Sequence, residues 1–209
     1  MKKYQAIIYD LDGTLVDTVE MNMKPLQKII HEETGELWEY EEVVKRFTHY
    51  PGLKVMEMLG FNNPTEVYGR WVKYVNQYGA AQAYQGVSEL LEQLNGKIIQ
   101  AVVSSKKHDQ YQIDIVTKGW VKYFEVVVLA EDTVLHKPNP EPLLLCLEKL
   151  GINKEAALYI GDSVVDYECC QKVGIDFGYA TWGSVHGDEI ENPTYRFDSP
   201  EKIAFCLNK

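Results

Sequence analysis

The strongest constraint in this chain is a set of short apolar runs separated by stretches with helical spacing. Residues 4–9, 98–103, 126–130 and 156–160 are nearly continuous in apolar side chains and rich in Ile and Val, and a weaker fifth run covers 176–181. Runs of this length are short for helices. They suit strands of a parallel sheet covered on both faces, where neither side of the strand meets water. Helical patterns occupy about 109–118, 140–150 and 164–173 between the later runs, and another closes the chain near 200–207. The alternation predicts an α/β fold built on a doubly wound parallel sheet.

One stretch breaks that rhythm. Between the first and second runs, from about residue 18 to 82, only helical periodicity is present. The spacing predicts helices over 19–33, ending near Gly35, and over 39–47, 53–59 and 64–78, with Pro51-Gly52 as a break. Such a block greatly exceeds the loops of about two to six residues usual in α/β units. It predicts an all-helical domain, residues 17–83, inserted after the first strand of a core made of 1–16 and 84–209. Its aromatic residues Trp38, Tyr40, Trp71, Tyr74 and Tyr78 are expected in that domain's own core rather than around a ligand.

Composition narrows the partners. The chain has 209 residues and a formal net charge of −10, which opposes a nucleic-acid partner because phosphate backbones require clustered Lys and Arg. A small phosphorylated metabolite is not opposed, since local cations outweigh the global field. No stretch approaches the roughly 20 apolar residues of a membrane helix. The first apolar run meets Asp10 too soon to serve as a signal peptide. The expectation is a cytoplasmic protein, monomer or homodimer, with no membrane contact. The four cysteines, Cys146, Cys169, Cys170 and Cys206, show no zinc-type spacing and are expected as reduced, mostly buried thiols.

The chemistry lies where the runs end. The first ends in Asp10-Leu11-Asp12-Gly13-Thr14. Two carboxylates two residues apart share one side of an extended chain, an arrangement that invites a cation and offers a nucleophile beside a general acid. Gly13 and Thr14 suit a tight turn whose N–H groups approach an anion. The second run ends in Ser104-Ser105-Lys106, with hydroxyls able to meet phosphate oxygens. Lys137 stands in His136-Lys137-Pro138-Asn139-Pro140, a loop stiffened by proline. Asp162 and Asp166 follow Gly161, four apart and so expected on one helix face. Each has a plainer reading as a capping residue, an acidic turn or a surface lysine. Their concurrence on one edge of a parallel sheet is what favours a site.

Taken together these segments resemble the haloacid dehalogenase-like hydrolase superfamily, whose motifs occur here in order as DLDGTL from Asp10, VVSS ending in Ser104-Ser105, HKPNPEP with Lys137, and GDSVVD from Asp162. The resemblance implies a Rossmann-like core with a helical C1 cap, similar to the phosphoglycolate-phosphatase-like members. It implies a Mg²⁺-dependent phosphatase acting on a small phosphate monoester. Asp10 would form an aspartyl-phosphate and bind the metal, and Asp12 would act as acid then base while its carbonyl binds the metal. Ser104 would hold the phosphoryl group, Lys137 would neutralise charge, and Asp162 would ligate Mg²⁺. Asp166 would orient Lys137 or a metal-bound water. Cap residues His49 and Lys54, in the break at 47–54, could meet an anionic end of the substrate. Asp12 speaks against a dehalogenase, and Asn22, where related phosphomutases carry a histidine, speaks against a sugar phosphomutase. A pyrophosphatase and a catalytically decayed binding protein remain as alternatives.

Overall fold

The computed structural model describes residues 4–48, 50, 52–185 and 190–207. The chain divides into two compact units, Met1–Asp17 with Gln82–Lys209, and Thr18–Ala81. The first unit opens with β1 (Ala6–Tyr9) and β2 (Val16–Asp17). The second contains α1 (Val19–Thr34), α2 (Tyr40–Phe47), α3 (Gly52–Met58) and α4 (Pro64–Asn76). The first unit then resumes with β3 (Gln82–Ala83), α5 (Val87–Leu94), β4 (Ile99–Val103) and α6 (His108–Tyr111). A π-helical turn, Gln112–Val116, continues α6. After it come β5 (Val126–Val128), α7 (Glu141–Leu150), β6 (Ala157–Gly161), α8 (Val164–Val173), β7 (Asp176–Ala180), β8 (Tyr195–Phe197) and α9 (Glu201–Leu207).

Among the described residues the first unit holds a six-stranded sheet in the order β5-β4-β1-β6-β7-β8. Every pairing in it is parallel. This is the α/β fold expected from the alternating runs. The chain winds outward from β1 through β4 and β5, then returns to β1's other side with β6, β7 and β8. β1 is therefore central, and its four residues Ala6, Ile7, Ile8 and Tyr9 are fully buried. The core on one face joins Ile8, Val103, Val128, Tyr159 and Phe177 to Leu143, Cys146 and Cys170 from the helices. Cys146, Cys169 and Cys170 are buried free thiols, as expected, and Cys206 is half-buried.

Two elements go beyond the sequence pattern. Val87, Leu90, Leu91 and Leu94 make a buried stripe at helical spacing on α5. β8 has three residues, with exposed Arg196 between Tyr195 and Phe197; so short a run carries little periodicity. A third feature, the antiparallel pair β2–β3, closes the first unit beneath the point where the chain leaves and re-enters it.

The helical unit buries its own core. Leu26, Ile29 and Ile30 of α1 meet Val43 and Phe47 of α2, Val55 and Met56 of α3, and Trp71 of α4. Trp38 stacks on Phe47 with ring centroids 6.0 Å apart. Tyr40 and Tyr74 pack at the margin, each beneath a lysine ammonium, Lys24 at 4.1 Å and Lys28 at 3.9 Å. Tyr78 departs from expectation: it follows the end of α4 and is exposed, because the apolar stripe of that helix ends at Val75. No helix among the described residues is long and apolar enough to cross a membrane.

Ile8 tests the centrality of β1. Ile8→Ala removes a fully buried side chain from the middle strand, and is expected to lower the unfolding free energy by about 2–5 kcal/mol, measured by urea denaturation.

Candidate active site

The sheet register brings the run ends together. Tyr9 pairs with Val102 in β4 and with Ile160 in β6. Asp10, Ser104 and Asp162 therefore follow their paired positions by one or two residues, side by side along the carboxyl edge. The winding direction reverses at β1, and such a reversal leaves the crevice where open α/β sheets receive ligands. The Asp10 amide donates to Ile160 O at 2.9 Å, and the Ser104 amide to Val128 O at 3.0 Å. Both backbones are thus fixed by the neighbouring strands.

Lys137 reaches into this edge from the loop before α7. Its Nζ lies 2.9 Å from Asp10 Oδ1 and 2.6 Å from Asp166 Oδ1. It also donates to the Tyr159 hydroxyl at 3.0 Å. The side chain is 4% exposed. Burial alone would lower the ammonium pKa, but Asp10 and Asp166 outweigh it and hold Lys137 above its ordinary value. The loop is braced from behind. The Glu141 carboxylate accepts from the Val134 and Leu135 amides at 3.1 and 3.0 Å, and Asn139 Oδ1 accepts from the Glu141 amide at 3.0 Å. A lysine held this way loses little freedom when it meets an anion.

Asp10 is 7% exposed. Burial pushes its carboxyl up to about 7, with Lys137 opposing and Asp166 and Asp12 adding to the rise. After Asp10 the chain makes a tight turn. The Leu15 amide donates to Leu11 O at 2.8 Å and the Gly13 amide to Val16 O at 2.9 Å. Gly13 has φ +78°, and a Cβ there would run into the Asp162 carboxylate, so glycine is required both by the backbone and by the approach. Trp182 Nε1 donates to Thr14 O at 3.0 Å, and Gly183 packs so closely on Gly13 O that no side chain fits. The amides of Gly13 and Thr14, expected to face an anion, instead donate within the turn. Thr14 contributes through its hydroxyl, which donates to Asp162 Oδ1 at 2.9 Å.

Asp162 and Asp166 do not share a helix face as their spacing suggested. α8 begins at Val164, and Ser163 caps it in a reciprocal pair with Asp166; Asp162 is left in the bend before the helix. Asp166 is fully buried, with Oδ1 toward Lys137 and Tyr159 and Oδ2 accepting from the Ser163 hydroxyl at 2.6 Å. Burial, then the charges of Asp166 and Asp10, raise the Asp162 carboxyl well above the usual range. Asp10, Asp162 and Asp166 each offer a carboxylate oxygen, all within 4.8 Å of one another. Three such groups around one ammonium leave an excess of negative charge on hard oxygen atoms, a donor set that fits a small divalent cation such as Mg²⁺. Asp166 is engaged through both oxygens, so Asp10 and Asp162 are the carboxylates placed to hold it.

The remaining residues divide. Ser104 is buried at the strand end, its Oγ accepting from the Lys106 amide at 3.3 Å, and it caps no helix; Ser105 beside it is exposed. Asp12 Oδ1 lies 2.8 Å from Lys106 Nζ. Lys54 is on α3 of the helical unit, exposed and 3.3 Å from Glu57; His49 lies outside the described residues. Two participants carried no signal in the sequence. Tyr159 sits inside an apolar run, and its hydroxyl, 3.0 Å from Val103 O and from Asp166 Oδ1, supports Lys137. Asp114 lies within a helical pattern, and it pairs with Lys106.

Comparison with known proteins accords with this geometry. The family profile of haloacid dehalogenase-like hydrolases matches residues 7–180. A candidate pyrophosphatase, PpaX, of Caldanaerobacter subterraneus subsp. tengcongensis is 30% identical over 92% of this chain and 90% of its own length. The phosphoglycolate phosphatase of Yersinia pseudotuberculosis is 27% identical over 90% of this chain and 86% of its own. A crystal structure from Lactobacillus plantarum, 26% identical, matches with a TM-score of 0.86 over 97% of this chain and 99% of that one. With its four strand ends gathered around Asp10 and the profile spanning most of its length, the chain belongs to the haloacid dehalogenase-like hydrolase family.

Proposed function

We propose that this hydrolase is a Mg²⁺-dependent phosphatase that cleaves a small phosphate monoester through an aspartyl-phosphate on Asp10. The observation that carries the reading is the buried Asp10–Lys137–Asp166 ion-pair chain with Asp12 two residues on. An anionic nucleophile is kept next to a fixed ammonium, and a second carboxylate stands beside it.

Asp10 attacks phosphorus in line with the departing oxygen. The P–O bond to that oxygen breaks, and Asp12 gives it a proton, so the alcohol leaves neutral. Asp12, now a carboxylate, takes a proton from water as that water attacks the phosphorus of the aspartyl-phosphate. Phosphate leaves and Asp10 is regenerated. Lys137 and the Ser104 hydroxyl bind the phosphoryl oxygens through both steps, and Tyr159 and Asp166 keep Lys137 aimed. A bound divalent cation, held by Asp10 and Asp162 with the Asp12 carbonyl, would supply further neutralisation of the phosphoryl charge. Positioning and charge stabilisation dominate such a transfer.

Asn22 supports hydrolysis over phosphomutase chemistry. Its Nδ2 donates to Thr18 O at 2.8 Å and its backbone carbonyl accepts from Trp71 Nε1 at 2.8 Å, so it serves the helical unit's structure. A second reading, pyrophosphate hydrolysis, is favoured by the likeness to PpaX. Both would use the same nucleophile.

Asp10→Asn is expected to reduce phosphate release to background across a panel of phosphoglycolate, sugar phosphates, nucleotides and pyrophosphate. Full turnover by that variant would sink the mechanism. Asp12→Asn is expected to lower kcat/KM on alkyl phosphates by about 10²–10⁴-fold in the same assay. Chelation is expected to stop turnover and Mg²⁺ to restore it. Mg²⁺ is also expected to raise the thermal midpoint of the wild-type protein and to do so far less for Asp162→Asn, read by calorimetry without substrate.

A further inference from the structure

A buried ion pair outside the proposed steps touches the acid of the site. Lys106 is 7% exposed and Asp114 is 2% exposed. The Lys106 ammonium pairs with the Asp114 carboxylate and lies 2.8 Å from Asp12 Oδ1. Lys106 is pinned at both ends of its backbone, its amide donating to Ser104 Oγ at 3.3 Å and its carbonyl accepting from the Ala130 amide at 3.0 Å. Asp114 is carried on the π-helical turn Gln112–Val116. A π turn is rare, and it recurs inside helices at functional sites. Here it buries Asp114 next to Ile115. A charged pair buried for stability alone is poorly explained, because apolar residues of the same volume do as well or better.

We propose that Lys106 and Asp114 are positioning residues for Asp12, fixing which of its oxygens carries the transferred proton. An ammonium donates and cannot accept. Asp12 Oδ1 faces Lys106 and is shut off from solvent, while the Asp12 side chain as a whole is 37% exposed. The proton on Asp12 must then sit on Oδ2, the oxygen free to face the departing group. Asp114 anchors Lys106 from the other side, so that the ammonium stays on Oδ1 and does not swing toward the incoming phosphate. In the first step Oδ2 loses its proton to the leaving oxygen as the P–O bond breaks. In the second, Oδ2 takes a proton from the attacking water. Lys106 keeps all its protons throughout.

This inference rests on the phosphatase reading, and one experiment separates the two. The full chain with Mg²⁺ is assayed on two esters with the same phosphoryl group, a simple alkyl phosphate and 2,4-dinitrophenyl phosphate. The alkoxide requires a proton to leave and the dinitrophenolate does not. kcat/KM is compared because it reports the first, leaving-group-dependent step. Asp114→Asn and Lys106→Gln are each expected to lower kcat/KM on the alkyl ester by about 10²-fold and on the dinitrophenyl ester only a few-fold. Asp12→Asn sets the reference ratio, and Asp114→Glu and Lys106→Arg, which keep the charges, are expected to recover part of the alkyl-ester rate. If Asp114→Asn does not fold by circular dichroism, Lys106→Gln carries the comparison. Equal losses on both esters would place Lys106 on the phosphoryl group and overturn the inference, as would no loss on either. Wild-type protein inert on both esters overturns the phosphatase reading itself. A selective Asp12→Asn beside unselective Asp114→Asn and Lys106→Gln overturns only the inference.

Discussion

The site depends on one buried ammonium among carboxylates. Lys137 lies within 3 Å of both Asp10 and Asp166, and a third carboxylate, Asp162, completes a cluster only 4.8 Å across. Removing one partner from a buried pair of this kind costs about 3–5 kcal/mol, so a substitution at Lys137 or Asp166 lowers stability as well as disturbing the site. Burial, with Asp166 and Asp12 adding to it against Lys137, leaves the Asp10 carboxyl pushed up to about 7. The negative charge in excess of Lys137 makes this cluster a donor set that fits a small divalent cation.

Much of the surrounding chain serves to hold that arrangement still. The Lys137 loop is braced by Glu141 and Asn139. Asp166 is fixed by capping its own helix with Ser163, so one residue both starts α8 and aims the lysine. Gly13 and Gly183 permit backbone and carboxylate to approach where any side chain would collide. These contacts come from loops and helix starts, and the strands supply register together with the Tyr159 hydroxyl. Such a division is expected of a scaffold whose rigid sheet presents variable ends.

The sequence made much of this legible, for specific reasons. Short apolar runs identified the strands because burial on both faces leaves no polar alternation. Asp10, Ser104, Lys137 and Asp162 stood out because each is a polar residue ending or following such a run. Tyr159 did not, since a tyrosine in an apolar strand is an ordinary core residue until its hydroxyl is seen beside Lys137. Asp114 did not, since its helical pattern gives no notice of a π turn or of its burial there. The spacing of four put Asp162 and Asp166 on one helix face, and only the start of α8 showed that Asp162 lies before the helix.

By itself, then, the sequence determined the α/β class, the inserted helical block and the identity of the chemical groups. All three follow from local periodicity and from polar residues at the ends of apolar runs. Tertiary structure decided which groups touch. Lys137 is 127 residues from Asp10 in the chain, and only the register of β1 with β4 and β6 and the braced loop before α7 bring them to 2.9 Å. It also decided that Lys106 faces Asp12 rather than solvent. Pairings between distant side chains are set by how strands are ordered and helices rotated, and neither is encoded in the pattern of any one segment.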